Sequence, residues 1–324
     1  MRVWQAGAVA FGLGLIGAAA ATRAEEPLVR DELTLAAPPA PALPPAEPAD
    51  PVRKLALLPS DQSVYAPPAA PRGDEDGFNT GGVNFDLRFR YMTDYVYRGV
   101  DRSEVGGPED APNLQFEGRM TFNLGKLPHP FVGAFVNVYD ADPISRFQEI
   151  RPFFGFTWNL RPFDLEVGNI TYIYPERDED NTGEVYGRIS FDDSWLWKTD
   201  RKILTPYVMV AYDYDKYEGW YAEAGLRHDF EFEGTGLTLS AVGSIAYVLD
   251  NAFFAKQPGG KDSGMQHYEV GLLANYSLNR LFSVPSNRFG TWSLEAYVFY
   301  TDRTGSELRA DKQIWGGIGI GFKY

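Results

Sequence analysis

The sequence predicts an all-β protein, an antiparallel up-and-down transmembrane β-barrel of about 12 strands that follows a disordered segment rich in Pro and Ala. Three observations predict this fold. The chain begins with an export signal, it alternates between apolar and polar residues from residue 83 onward, and its final strand ends on an aromatic residue.

The composition excludes several classes of function. Asp and Glu number 44 against 30 Lys and Arg, which gives the 324-residue chain a net charge of −14 and no attraction for nucleic acid. The absence of Cys excludes disulfides, thiol catalysis and thiolate metal sites, and three His are too few for a His-rich metal cage. We therefore predict no metal, no cofactor and no nucleic-acid partner.

Residues 1–24 are predicted to form a secretory signal peptide. Arg2 supplies the positive start, residues 6–21 are uncharged and apolar, and Ala24 ends a stretch of small residues suited to cleavage. The apolar stretch is too short for a membrane-spanning helix, and no later stretch approaches the roughly 18 residues that such a helix needs. The mature protein is expected to be exported.

Residues 25–80 are predicted to form a linker in the periplasm. Its Pro/Ala tracts at 35–48 and 66–71 have no periodicity, and proline favours extended chain over folded structure. The linker is either a spacer without a partner or a tether to a periplasmic or cell-wall partner, and its composition favours the spacer.

Residues 83–324 are predicted to form the barrel. In the first strand Val83, Phe85 and Leu87 point one way while Asn84 and Asp86 point the other, a period of two that is typical of strands. Stretches of about ten such residues are long enough to cross a bilayer when tilted. The twelve predicted strands are 83–95, 113–124, 130–140, 147–160, 163–174, 183–192, 204–214, 219–231, 236–249, 265–279, 291–301 and 313–324.

The last strand resembles the C-terminal assembly signal of outer-membrane barrels. Ile318, Ile320, Phe322 and the terminal Tyr324 alternate with glycines and a lysine. This ending predicts recognition by the barrel-assembly machinery and a final location in the outer membrane of a Gram-negative cell, among its lipid and lipopolysaccharide. The oligomeric state is not predicted.

A short motif follows the first predicted strand, in the order Asp94, Tyr95, Tyr97, Arg98 and Gly99. This Asp-Tyr-x-aromatic-Arg-Gly pattern resembles the signature of the TorF-type porin family of exported proteobacterial proteins. The resemblance implies an outer-membrane barrel with a channel function and names no solute. From the residues themselves, Gly99 is expected to permit a turn, Arg98 to fold inward against lumen carboxylates, and Tyr95 and Tyr97 to join the outer aromatic girdle.

The polar face of the predicted strands carries charged residues of both signs. Those predicted to line the lumen are Arg88, Arg90, Glu117, Arg119, Glu149, Arg151, Glu166, Arg188, Glu223, Arg227, Glu269 and Glu295, and the inward-facing set also includes Asp86, Asp164 and Glu184. One interpretation is a narrow, mildly negative pore that favours cations or small polar solutes. The other is a lattice of salt bridges that fills the lumen and stiffens the wall.

The favoured function is a passive, porin-like channel for ions or small polar solutes. The alternative is a closed structural barrel that tethers the outer membrane to a periplasmic partner through residues 25–80. An enzyme is disfavoured because the sequence offers no Gly-x-Ser-x-Gly motif and no His beside a Ser with an orienting partner. A Ca²⁺ site in the acidic stretch 176–181 is disfavoured because its residues lack the spacing of a Ca²⁺-binding loop. A soluble β-sandwich is disfavoured because its strands should be shorter.

Overall fold

The computed structural model describes residues 82–102, 112–139, 147–175, 181–199, 202–256, 260, 262–305 and 307–324. The predicted signal peptide at 1–24, the predicted linker at 25–80 and nearly all of the acidic stretch 176–181 lie outside the described residues. Among the described residues, no helix is both long and apolar enough to cross a membrane.

The described strands form one closed barrel and a separate two-stranded hairpin. The barrel strands are β1 (Val83–Met92), β4 (Asn113–Phe122), β5 (His129–Tyr139), β6 (Phe147–Leu160), β7 (Phe163–Tyr172), β8 (Thr182–Phe191), β9 (Tyr207–Asp213), β10 (Gly219–Phe232), β11 (Leu237–Asn251), β12 (Asp262–Ser277), β13 (Thr291–Arg303) and β14 (Gln313–Lys323). The hairpin consists of β2 (Val96–Tyr97) and β3 (Val100–Asp101). The prediction of a twelve-stranded antiparallel barrel is confirmed.

The first and last strands close the barrel. Strand β1 pairs antiparallel with both β4 and β14, so the sheet has no free edge that could pair with another chain. The terminal residue completes this seam: the Tyr324 N–H donates to the Phe85 carbonyl at 2.9 Å, and the Phe85 N–H donates to the Tyr324 carbonyl at 2.6 Å.

Neighbouring residues on a strand point to opposite faces of the barrel. Phe153 is 1% exposed whereas Phe154 is 59% exposed, and Leu273 is 1% exposed whereas Leu272 is 60% exposed. Since side chains alternate along a strand, one residue of each pair packs inside the barrel and the other covers the outer wall. The outer wall is therefore apolar around the barrel.

The two ends of the barrel differ. The terminal end holds Val83 and Tyr324, and the loop end lies opposite. Connections at the loop end span residues 93–112, 140–146, 173–181, 214–218, 252–261 and 304–312. Connections at the terminal end span residues 123–128, 161–162, 192–206, 233–236 and 278–290.

In each of the two long turns at the terminal end, one polar side chain forms hydrogen bonds with backbone groups of the turn. Asp193 accepts hydrogen bonds from the backbone N–H groups of Ile203 and Leu204, at 3.0 and 2.7 Å. Asn279 donates to the Gly290 carbonyl at 2.7 Å and accepts from the Trp292 N–H at 2.5 Å. These turns carry the short helices α1 (Ser194–Trp197), α2 (Leu278–Leu281) and α3 (Ser286–Phe289).

The short helix α1 presents Trp195, Leu196 and Trp197 to the outside, all well exposed. Because Trp favours membrane interfaces, we expect these residues to lie in such an interface.

The first predicted strand is shorter than expected. It was expected to reach residue 95, but β1 ends at Met92. Beyond that point the Thr93 N–H donates to the Gly316 carbonyl at 2.8 Å, and the chain then leaves the wall. The residues that follow form the hairpin of β2 and β3 inside the barrel.

Candidate functional site

The charged residues predicted to line the lumen all project into the barrel interior. Eleven of the twelve are buried, and half-buried Arg188 places its guanidinium carbon 3.8 Å from the centre of the Tyr207 ring. The eleven are Arg88, Arg90, Glu117, Arg119, Glu149, Arg151, Glu166, Glu223, Arg227, Glu269 and Glu295. The structure places these side chains inside the barrel, whereas their role in conduction stays a prediction.

Several lumen arginines pair with carboxylates. Arg119 Nη2 lies 2.9 Å from Glu166 Oε2, which bridges β4 and β7 although these strands are not neighbours. The shorter-range pairs are Arg88 with Asp86 at 3.1 Å, Arg90 with Glu117 at 3.5 Å, Arg227 with Asp229 at 2.6 Å, and Arg151 with Glu149. Such pairs lower the cost of placing charge where water is restricted.

Tyrosine hydroxyls also bind lumen carboxylates, an interaction that was not predicted from the sequence. Tyr207 and Tyr221 both donate to Glu223, at 2.5 and 2.7 Å, and Tyr186 donates to Glu166 at 2.7 Å. Tyr221 and Glu223 are two residues apart on one strand face, as are Tyr297 and Glu295. A Tyr two positions from a Glu on an inward face is the sequence signal that could have found these pairs.

Aromatic rings also lie against inward-facing glycines. Among the described residues, five glycines have an aromatic cross-strand partner whose ring lies within 2.3–2.7 Å of where their Cβ would be. The pairs are Gly133 with Phe153, Gly155 with Phe131, Gly168 with Tyr186, Gly225 with Tyr207 and Gly271 with Phe299. The glycines thus provide the space in which rings lie along the wall of a narrow lumen.

The hairpin of residues 94–102, here named the inner hairpin, folds into the loop end of the barrel. All nine of its residues are buried. Its turn places Arg98 at φ 51° and Gly99 at φ 74°, the backbone of a type I′ turn, which suits a two-residue hairpin loop. The expected turn at Gly99 is therefore present.

The inner hairpin carries an arginine that binds the barrel wall. Arg98 Nη1 and Nη2 donate to the two carboxylate oxygens of Glu184, at 2.7 and 2.8 Å. The Arg98 guanidinium carbon also lies 4.1 Å from the centre of the Tyr221 ring and 5.0 Å from that of Tyr97. The expectation that Arg98 folds inward against a lumen carboxylate agrees with this geometry.

Hydrogen bonds to Gln266 and Asp311 hold the backbone of the turn. Gln266 Nε2 donates to the Arg98 carbonyl at 2.7 Å, the Asp311 N–H donates to the Gly99 carbonyl at 2.8 Å, and the Asp101 N–H donates to Asp311 Oδ2 at 2.8 Å. His267 lies fully buried beneath Gly99.

The prediction that Tyr95 and Tyr97 belong to the outer aromatic girdle is wrong. Tyr95 is 0% exposed and Tyr97 is 5% exposed, and both lie inside the barrel. Tyr95 donates to Glu149 at 3.0 Å, and the hydroxyls of Tyr97 and Tyr172 are 2.5 Å apart. The physical reason is that β1 ends three residues earlier than expected, so the alternation of the wall no longer sets the direction of these side chains.

A pocket lies beside the inner hairpin at the loop end. The space between its lining atoms is about 300 Å³ when open solvent is included, and the part that the lining encloses has room for about one water molecule. Its lining combines aromatic rings with polar groups, namely Tyr97, Arg98, Tyr172, Tyr174, Thr182, Glu184, Asp213, Tyr217, Asn251, Phe253 and Phe254. Burial raises the pKa of the Tyr174 hydroxyl well above its ordinary value, so this lining residue stays neutral.

The described residues contain no group of three or more His, Asp or Glu side chains arranged to hold a metal ion.

Solved structures of bacterial outer-membrane proteins are similar to this chain at low identity. The NanC porin shares 11% identity and a TM-score of 0.42, with 74% of this chain and 98% of that chain covered. The translocator domain of the autotransporter NalP from Neisseria meningitidis shares 12% identity and a TM-score of 0.41, with 77% and 91% covered. An outer membrane channel from Pseudomonas putida F1 shares 9% identity and a TM-score of 0.43, with 75% and 96% covered. No family model and no curated protein matches the sequence, so the resemblance to the TorF-type porins stays a prediction.

Proposed function

We propose that this protein is an outer-membrane channel for ions or small polar solutes, and that the inner hairpin forms its constriction. The observation that carries the proposal is the placement of many charged side chains inside a barrel whose outer wall is apolar. A closed barrel pairs its backbone groups internally, as hydrocarbon requires, and a charged interior suits water better than a dry core.

Polar atoms without protein partners support a hydrated lumen. Among the described residues, Arg151 Nη1 and Nη2, Arg90 Nε, Arg227 Nη1 and Asn275 Nδ2 are buried and have no hydrogen-bond partner within the protein. Leaving such a group unsatisfied costs about 1–3 kcal/mol. Water in the lumen would remove that cost at several depths of the barrel.

The lengths of the connections favour one orientation, because the two shortest, 161–162 and 233–236, lie at the terminal end and the longest, 93–112, lies at the loop end. The turns 192–206 and 278–290 at the terminal end are exceptions to this pattern. Outer-membrane barrels have short periplasmic turns and longer outer loops. We therefore assign the loop end, with the inner hairpin, to the cell exterior. The terminal end and the predicted linker at 25–80 then face the periplasm.

The proposal is tested by recording currents from the refolded chain in a planar bilayer. Conductance steps with a reversal potential that favours cations are expected, because the inward-facing set predicted from the sequence holds nine carboxylates against six arginines. Replacing Arg98 by Gln removes the bidentate pair with Glu184 and should raise the conductance. Arg288→Gln, an exposed arginine at the terminal end, is the matched control and should leave the currents unchanged.

A closed structural barrel is the second candidate. It is favoured by the arginine–carboxylate pairs and by the aromatic rings that occupy the interior. A folded barrel that stays silent both as wild type and as Arg98→Gln would support it and contradict the channel. Its tethering role would then require that removal of residues 25–80 weaken the cell envelope.

A further inference from the structure

Arg98 occupies a site that three separate parts of the chain build around a guanidinium group. Glu184 of β8 accepts two hydrogen bonds from Arg98, at 2.7 and 2.8 Å, while Tyr221 of β10 and Tyr97 of the inner hairpin place their rings beside the same group. A bidentate carboxylate together with aromatic faces is the arrangement that recognises guanidinium specifically. We name Glu184, Tyr97 and Tyr221 the guanidinium site.

The backbone of Arg98 indicates that its side chain is needed in this site. Its φ of 51° lies in the left-handed region, where an arginine costs about 1–3 kcal/mol. Type I′ turns favour Asn or Gly at this position. An arginine in a strained position whose side chain makes a charged, stacked contact points to a function for that contact.

The pocket beside the hairpin extends the guanidinium site with further aromatic surface. Glu184 lines both, and the rings of Tyr172, Tyr217 and Phe253 complete the pocket wall. The pocket is lined by residues at the loop end of β8, β9 and β11. Aromatic rings around a carboxylate attract organic cations by cation–π interaction and charge pairing.

We propose that the guanidinium site binds a small organic cation that carries a guanidinium group, and that this ligand competes with Arg98 for Glu184. The ligand donates two N–H groups to the Glu184 carboxylate and lies against the rings of Tyr97 and Tyr221. The displaced Arg98 side chain leaves Glu184, and the inner hairpin loses its charged pair with β8, while its bonds to Glu149, Tyr172 and Gln266 remain. The binding stands on the geometry alone, whereas its effect on conduction rests on the proposed function.

The binding is tested by isothermal titration calorimetry of the full chain refolded in detergent, with ethylguanidinium as the probe. Ethylurea, a neutral analogue of nearly the same shape, is the matched ligand control. Saturable binding of ethylguanidinium and no binding of ethylurea are expected. Equal binding of the two compounds would overturn the proposal, because it would mean that the charge is not recognised.

Two variants distinguish competition from simple binding. Arg98→Gln removes the internal competitor and should tighten ethylguanidinium binding by about 10-fold or more. Glu184→Gln removes the charged acceptor and should weaken the binding by about 30-fold or more. Unchanged affinity in Arg98→Gln would overturn the competition.

Further variants keep the test sharp if Glu184→Gln does not fold. Arg98→Lys keeps the charge but lacks the planar fork, so it should tighten binding by less than Arg98→Gln does. Asp250→Asn changes an exposed carboxylate at the same end of the barrel and should leave the affinity as in the wild type. A loss of affinity in Asp250→Asn equal to that in Glu184→Gln would contradict a site at Glu184.

A separate recording of bilayer currents distinguishes this inference from the proposed function. Specific binding of ethylguanidinium to a folded barrel that never conducts would retain the site and overturn the channel. Conductance steps from a barrel that binds no ethylguanidinium would retain the channel and overturn the site. Raised conductance on addition of ethylguanidinium, absent in Glu184→Gln, is the result expected if both hold.

Discussion

Gly99 is a residue at which the inner hairpin packs closely against His267 of β12. Its φ is 74°, and a Cβ placed on it would lie 2.5 Å from Cγ of His267. Gly99→Ala should therefore displace the turn and lower the free energy of unfolding by about 1–3 kcal/mol, measured by urea unfolding in lipid vesicles. Gly187→Ala is the matched control, since nothing lies within 4 Å of a Cβ there. An equal loss in both variants would contradict this account.

The lumen carboxylates that bind tyrosine hydroxyls should set the selectivity of the channel. Glu223 accepts from two tyrosines and Glu295 from Tyr297. The double variant Glu223→Gln and Glu295→Gln keeps oxygen acceptors for these hydroxyls but removes two negative charges. Its reversal potential in a salt gradient should move toward that of an unselective pore. Glu233→Gln, in an exposed turn, should not shift it.

The end of the last strand closes the barrel seam, and a recognition role for the same residue is predicted. Deleting Tyr324 removes the two backbone hydrogen bonds with Phe85 and should lower the free energy of unfolding by about 1–3 kcal/mol. Tyr324→Ser keeps those bonds but loses the ring, so it should refold in vitro nearly as well as the wild type. The same variant should accumulate poorly in the outer membrane if the aromatic end is read by the assembly machinery. Normal accumulation in cells would argue against that signal.

The strands were predictable because the alternation of apolar and polar residues shows directly which side chains of a strand point outward and which point inward. Once one residue of a strand is assigned to the apolar wall, every second residue follows, which is why Arg88 and Glu117 were placed inward. The inner hairpin was not predictable in this way. Its direction depends on Glu184 and Gln266, which lie 86 and 168 residues from Arg98 in sequence. The residues of the motif at 94–99 alone do not indicate which distant residues they contact.

The whole molecule is expected to be stable only with hydrocarbon against its outer wall. Leu272 is exposed near the middle of β12, and Leu272→Arg should lower the free energy of unfolding in vesicles by about 2–4 kcal/mol. Leu281→Arg makes the same change at the terminal end, where the cost should be about 0–1 kcal/mol. Equal effects at both depths would contradict a membrane-spanning barrel.

The inner hairpin also bears on the order in which the barrel is assembled. It follows β1, yet it binds β8 through Glu184, β12 through Gln266 and the last loop through Asp311. Contacts so distant in sequence form late, because long loops must close before they can be made. The hairpin can therefore dock only when nearly all strands are in place. Until that moment the interior of the barrel at the loop end is expected to be open to water. The charged side chains of the inner hairpin can therefore stay hydrated until they dock.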